Sequence, residues 1–203
     1  DSIYFEVDNK RRIIPGGGYT VLKDNKSNFP NSVQLTIDYH IQKIVEKVMD
    51  ENKIKGAVIV AEVESGDIVA MASRPNFDQD NIDAYLYKDN MELYNKAIQV
   101  SYPPGSLFKI VVLLSALESE PDIVNQVFYC KGYEKLNEVI IKCNVEEGHG
   151  YISLRDAFSK SCNSTFIQIG QKIGSKKIID MAYRLGFGES VNIGLLEETV
   201  GNL

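Results

Sequence analysis

A chain of 203 residues, 44% of them apolar and 25% charged, has an ordinary globular composition and is long enough to bury one sizeable core. Its formal net charge of −6 gives no reason to expect a nucleic acid or an anionic membrane surface as partner. No apolar run approaches the ~18 residues that span a bilayer, and three cysteines are too few for a disulfide scaffold.

Residues 1–32 are polar and irregular, with Gly16-Gly17-Gly18 and a run of turn formers from Asn25 to Asn31. They read as a linker or the end of an upstream domain, and a flexible arm fits equally well. Val33 to Thr36 reads as a short extended piece. Ile37, Ile41, Ile44, Val45 and Val48 then recur at helical spacing and predict an amphipathic helix to about Glu51. Two β-branched runs follow, Ala57 to Val63 and Ile68 to Ala72, joined by Glu64-Ser65-Gly66-Asp67, so a hairpin is expected. Arg74-Pro75 should stop its second strand. Asn76 to Asn95 is a long polar connection.

The next stretch, Tyr102-Pro103-Pro104-Gly105-Ser106-Leu107-Phe108-Lys109, leads into Ile110-Val111-Val112-Leu113-Leu114. Prolines cannot sit inside a helix and glycine tolerates unusual backbone angles, so a tight loop ends here. The run behind it is apolar on every side, which predicts a buried helix. Ser106 falls at its amino end, with Lys109 one turn deeper on the same face. A lysine in apolar surroundings loses its proton more easily, and the neutral amine can take the proton of a serine nucleophile. The bland reading is a capping serine followed by a lysine that reaches back to solvent.

Beyond this helix, short β-like runs occur at Val127 to Cys130 and Val139 to Cys143 in an otherwise irregular stretch to Gly150. Ser153 and Asp156 form a capping pair for a helix through Lys160. Ser161-Cys162-Asn163 precedes a second helix from about Ser164 to Lys172, and a third runs from Ser175 to a stop at Gly186. Residues 187–203 show no clear element. Ser161 and Asn163 offer a hydroxyl and an amide that could manage a lysine's protons and grip an amide-bearing substrate. Taken alone, they are simply good helix caps. No cysteine shows C-x-x-C spacing, and His40 and His149 lie far apart, so a structural metal is not expected.

Ser106-x-x-Lys109 and, 55 residues on, Ser161-x-Asn163 together resemble the penicillin-recognising serine acyltransferases. The chain from residue 33 to 203 looks most like the transpeptidase domain of class B penicillin-binding proteins. Leu35-Thr36-Ile37-Asp38 with Ile41-Gln42 is similar to that family's leading helix, and Gly56 to Ser73 to its first hairpin. Asn95-Lys96-Ala97 before Tyr102-Pro103-Pro104-Gly105-Ser106, His149-Gly150, Gly186-Phe187-Gly188 and Glu198 to Gly201 follow the family's order. The resemblance implies a mixed α/β (α+β) penicillin-binding-protein/β-lactamase-like fold, with an antiparallel sheet packed against helices. It implies Ser106 as nucleophile, Lys109 as general base, Ser161 as proton relay, and Asn163 as holder of Lys109 and of the substrate amide. The backbone N–H of Ser106 would be one oxyanion donor. The substrates would be peptidoglycan stem peptides ending in D-Ala-D-Ala, with β-lactams as covalent inhibitors and no metal or cofactor. The expected setting is the outer face of a bacterial membrane, through an N-terminal anchor absent from this chain, alongside other cell-wall synthesis proteins.

One departure matters. The family's K-T-G, on a strand that lines the site and supplies the second oxyanion donor, does not occur in this sequence. Lys172-Ile173-Gly174 sits too close behind Asn163 to stand in for it. The expectation is therefore the front part of a transpeptidase domain, truncated before that motif with its C-terminal strands missing, and inactive or nearly so. A β-lactam sensor is the alternative, disfavoured by Asn163 where the sensors carry valine. A serine β-lactamase comes last, since Thr199-Val200-Gly201 after Glu197 and Glu198 does not match that class. Cys143 and Cys162 form a redox candidate, because a bond between them would tie the Ser161 turn shut in an oxidising compartment. The plainer expectation is three reduced, partly buried thiols.

Overall fold

The computed structural model describes residues 2–7, 10, 12, 18–22, 33–88, 90–195 and 197–203. The chain divides into two compact units, residues 1–37 and 38–203. In the first, strands β1 (Ser2–Phe5) and β2 (Tyr19–Leu22) pair antiparallel, with Ile3 opposite Val21. The sequence reading placed no element here, because two four-residue strands scarcely stand out from their polar surroundings. The turn formers at Gly16-Gly17 and from Asn25 to Asn31 lie outside the described residues. Val33 to Thr36 forms no strand.

The second unit opens with α1 (Tyr39–Glu51), whose first turn is capped by Asp38 Oδ1 accepting the N–H groups of His40 (2.8 Å) and Ile41 (3.0 Å). The expected hairpin forms from β3 (Gly56–Ala61) and β4 (Ile68–Arg74), antiparallel with Val58 opposite Ala72. Helix α1 lies along the outer edge of β4 through polar contacts. Asp38 N–H donates to Val69 O (2.9 Å). The Gln42 amide both accepts from Met71 N–H (2.8 Å) and donates to Met71 O (3.0 Å), as a neighbouring strand would. Arg74, buried, grips Asp50 with Nε to Oδ1 at 2.6 Å and Nη2 to Oδ2 at 3.0 Å. This seam chooses the face of α1 that packs. Met49 is buried, whereas Ile41, Ile44 and Val48 of the predicted apolar stripe face outward.

The connection after β4 carries a short 3-10 turn, Gln79–Ala84, and is tied back where the Ser73 hydroxyl donates to Tyr94 O and accepts from Lys96 N–H, both at 3.1 Å. It delivers the chain to a 3-10 turn, Gly105–Leu107, which runs straight into α2 (Phe108–Ser119). Strand β5 (Val127–Cys130) pairs antiparallel with β8 (Gly150–Ser153), and β6 (Tyr133–Leu136) with β7 (Val139–Lys142). The sequence patterns marked β5 and β7. Their partners, rich in charged residues or glycine, were missed. Helices α3 (Leu154–Ser159), α4 (Asn163–Ile173) and α5 (Ser175–Arg184) complete the unit, with α3 capped by Ser153 as expected.

The core lies where α2, α4 and the β5–β8 pair meet. Val112, Ala116, Phe128, Ile152, Phe166 and Ile169 pack there, together with Cys130, Cys143 and Cys162. A smaller cluster joins Val111 of α2 to Met181 and Ala182 of α5. Helix α2 is thus buried on one side only. Leu107 just before it, Ile110 and Leu114 remain exposed (70%, 43% and 37%), so the helix is not covered all round as the sequence led one to expect.

Candidate active site

Ser106 sits in the middle of the 3-10 turn, and its side chain caps nothing, since neither that turn nor α2 has a side-chain cap. The bland reading of a capping serine therefore fails. Its Oγ lies 3.3 Å from Lys109 Nζ and 3.1 Å from Ser161 Oγ. Gly105, immediately before it, holds φ +56 in open space, a conformation that suits glycine and turns the chain into the helix. Ser106 is exposed and Lys109 half-buried, so the hydroxyl faces incoming solute while the amine is partly withdrawn from water.

The turn between α3 and α4 supplies the opposite wall. The N–H of Cys162 donates to Ala157 O (2.8 Å) and the N–H of Ser161 to Phe158 O (3.0 Å). This nested pair is a Schellman motif, and Ser161 occupies the left-handed position that glycine usually fills, with φ +54. The consequence is that Ser161 presents both its backbone carbonyl and its hydroxyl to Lys109, at 2.7 Å and 2.8 Å. Cys162, not Ser161 or Asn163, is the N-cap of α4, accepting from Thr165 N–H at 3.5 Å. Asn163 is thereby free to work elsewhere. Its Oδ1 accepts from Lys109 Nζ (2.7 Å) and its Nδ2 donates to Lys142 O (3.0 Å). The four residues singled out in the sequence come together around one amine.

Burial pushes Lys109 below the ordinary lysine range, and thiolate charge on Cys143 and Cys162 works against that shift. Burial alone would also raise Cys143. The N–H groups of Val145, Ser164 and Asn163, with the Cys130 thiol, outweigh it and bring the Cys143 thiol down to about 6. Cys162 goes the other way, to about 11, chiefly because it is buried. Cys143 and Cys162 stand with their sulfurs 3.8 Å apart, and all three cysteines are free and buried. The sequence reading missed two participants. One is the Lys142 carbonyl, which no side-chain pattern could mark. The other is His149, whose Nδ1 lies 3.6 Å from Cys143 Sγ.

Comparison with known proteins finds relatives of the chain. The penicillin binding protein transpeptidase domain profile matches residues 56–203. Stage V sporulation protein D of Bacillus subtilis is 30% identical over all of this chain, which spans 31% of that protein. The crystal structure of the D,D-transpeptidase domain of a peptidoglycan glycosyltransferase from Eggerthella lenta superposes with a TM-score of 0.75 at 29% identity, covering 88% of this chain and 43% of that one. Penicillin-binding protein A from M. tuberculosis, solved as a penicillin G acyl-enzyme complex, gives a TM-score of 0.73 at 25% identity over 81% of this chain and 42% of its own.

Proposed function

The chain belongs to the penicillin binding protein transpeptidase domain family, and on that premise we propose that it carries the nucleophile and base of a peptidoglycan D,D-transpeptidase. The observation that carries the proposal is the single amine of Lys109 held against Ser106 Oγ, Ser161 Oγ, Ser161 O and Asn163 Oδ1. A neutral lysine has two protons and one lone pair. Two of its four neighbours, the Ser161 carbonyl and the Asn163 side-chain oxygen, can only accept, and they take the two protons. The lone pair is left facing the two hydroxyls. Ser106 can then release its proton directly to Lys109, or to Ser161 Oγ as Ser161 passes its own proton on.

In the proposed reaction Ser106 Oγ attacks the carbonyl carbon of the penultimate D-alanine of a stem peptide. The Ser106 N–H helps to hold the oxyanion. Collapse breaks the peptide bond, and the proton gained by Lys109 returns through Ser161 to the departing D-alanine amine. An amine from a neighbouring peptidoglycan strand then attacks the ester, forming the cross-link and freeing Ser106. A β-lactam would acylate Ser106 by the same route, but its leaving amine stays tethered by the opened ring. The work would take place on the outer face of the bacterial membrane, with other cell-wall synthesis proteins. Glu197 and Glu198, the residues a β-lactamase reading would need, are engaged by Gln99 and by the N–H groups of Val191 and Asn192.

The test is incubation with a fluorescent penicillin, followed by mass spectrometric location of the adduct. An adduct on Ser106, absent from Ser106→Ala, is expected. An adduct elsewhere, or none after prolonged incubation, overturns the reading.

A further inference from the structure

Cys130, Cys143, His149 and Cys162 converge from four places in the chain: the end of β5, the residue after β7, the residue before β8 and the N-cap of α4. One ligand atom from each lies within 4.8 Å of all the others. We propose that these four residues form a closed, structural Cys3His site for a zinc ion. In a tetrahedral site, Zn–S bonds of about 2.3 Å put two sulfurs about 3.8 Å apart, and a Zn–N bond of about 2.0–2.1 Å puts a sulfur and a nitrogen about 3.5–3.6 Å apart. The Cys143 and Cys162 sulfurs are 3.8 Å apart, and Cys143 Sγ is 3.6 Å from His149 Nδ1. The donor set, three soft thiolates and an imidazole, selects zinc over the oxygen-loving cations.

The surroundings fit thiolate ligands. Backbone N–H groups of Val145, Asn163 and Ser164 point at Cys143 Sγ, and Cys162 Sγ accepts from Thr165 Oγ1 (3.3 Å) and Thr165 N–H (3.5 Å). The backbone is also shaped for the convergence. A Cβ on Gly132 would stand 2.0 Å from Glu146 O, and one on Gly148 would stand 2.2 Å from Cys130 O. Only glycine lets the segment carrying Cys143 and His149 lie this close against the one carrying Cys130. The sequence reading discounted a metal because the spacing lacks the C-x-x-C pair. Here the fold, not local spacing, brings the ligands together.

With four protein ligands the site has no open position, so its role is to fix structure rather than to activate water. What it would fix is the Ser161 turn, and this consequence rests on the reading of Ser161 and Asn163 as active-site groups. Cys162 lies between those two residues, and Cys143 follows Lys142, whose carbonyl receives the Asn163 amide.

The test is metal analysis of the untagged chain purified under reducing conditions without chelator, followed by replacement with Co²⁺. One zinc per chain is expected, with the visible absorption of tetrahedral cobalt bound to thiolates. His149→Ala, at the half-buried ligand, should weaken binding by at least about 10-fold and shift that absorption. The wild-type cobalt spectrum stands even if cysteine variants fail to fold. Three thiols freely reactive with a chromogenic disulfide reagent and no bound metal would overturn the proposal. So would a Cys143–Cys162 disulfide found by peptide mapping in metal-free protein, and that result would establish the redox pair instead. Neither result bears on labelling of Ser106.

Discussion

In the proposed mechanism Lys109 must lose its proton before Ser106 can lose its own. Burial places the lysine below its ordinary value, so the neutral amine becomes abundant at a lower pH than for a surface lysine. Acylation of Ser106 should rise as pH climbs through that lowered value and level off above it, before the ~10.4 of a free lysine. A rate still climbing at that pH would show the lysine to be unperturbed. Ser161 sets up a separate comparison, because its left-handed backbone costs a non-glycine residue about 1–2 kcal/mol. Ser161→Gly and Ser161→Ala both remove the proposed relay hydroxyl, and only alanine keeps the strain. The glycine variant should be more stable by about 1 kcal/mol in urea unfolding, and both should acylate slowly to a similar degree. An alanine variant at least as stable would mean that the turn relaxes.

The hairpin and its helix depend on a polar seam. The Arg74 guanidinium holds the Asp50 carboxyl below the usual carboxylate range by hydrogen bonding, against the small cost of burial. Because the folded value is the lower one, the contribution is present above the unfolded value of about 3.9 and is lost as pH falls through the folded one. Asp50→Asn should lower the thermal midpoint at neutral pH, and the gap from wild type should close on acidification below about pH 4. A gap independent of pH would assign the effect to packing. Most of these elements were legible in the sequence. The β3–β4 turn and the starts of α3 and α5 follow from local chemistry that tertiary contacts leave alone. What escaped was decided by partners distant in sequence. Strand β6 is marked only by its neighbour β7, and the packed face of α1 is chosen by Gln42 and Asp50 rather than by its isoleucines.

Across the whole unit, stability should track the one-sided burial of α2 and its neighbours. Ile169, fully buried in α4, should cost about 2–5 kcal/mol when cut to alanine, whereas the exposed Ile110 should cost less than about 1. Equal losses at the two positions, measured by denaturant unfolding, would show that something covers the outer stripe of α2 in solution. The candidate site was legible because Ser106, Lys109, Ser161 and Asn163 stand at fixed spacing in two short motifs. The cysteine–histidine cluster was not, because its members are scattered and only the close approach at Gly132 and Gly148 unites them.

One peptide plane joins the two. Lys142 O accepts the Asn163 amide, and across the same planar bond Cys143 N–H donates to Gly132 O at 2.8 Å. A hydrogen bond accepted on one side of a peptide unit polarises the donor on the other. The Cys143 amide nitrogen is therefore a built-in reporter, whose NMR resonance should register each change in the grip of Asn163 without any label at Ser106.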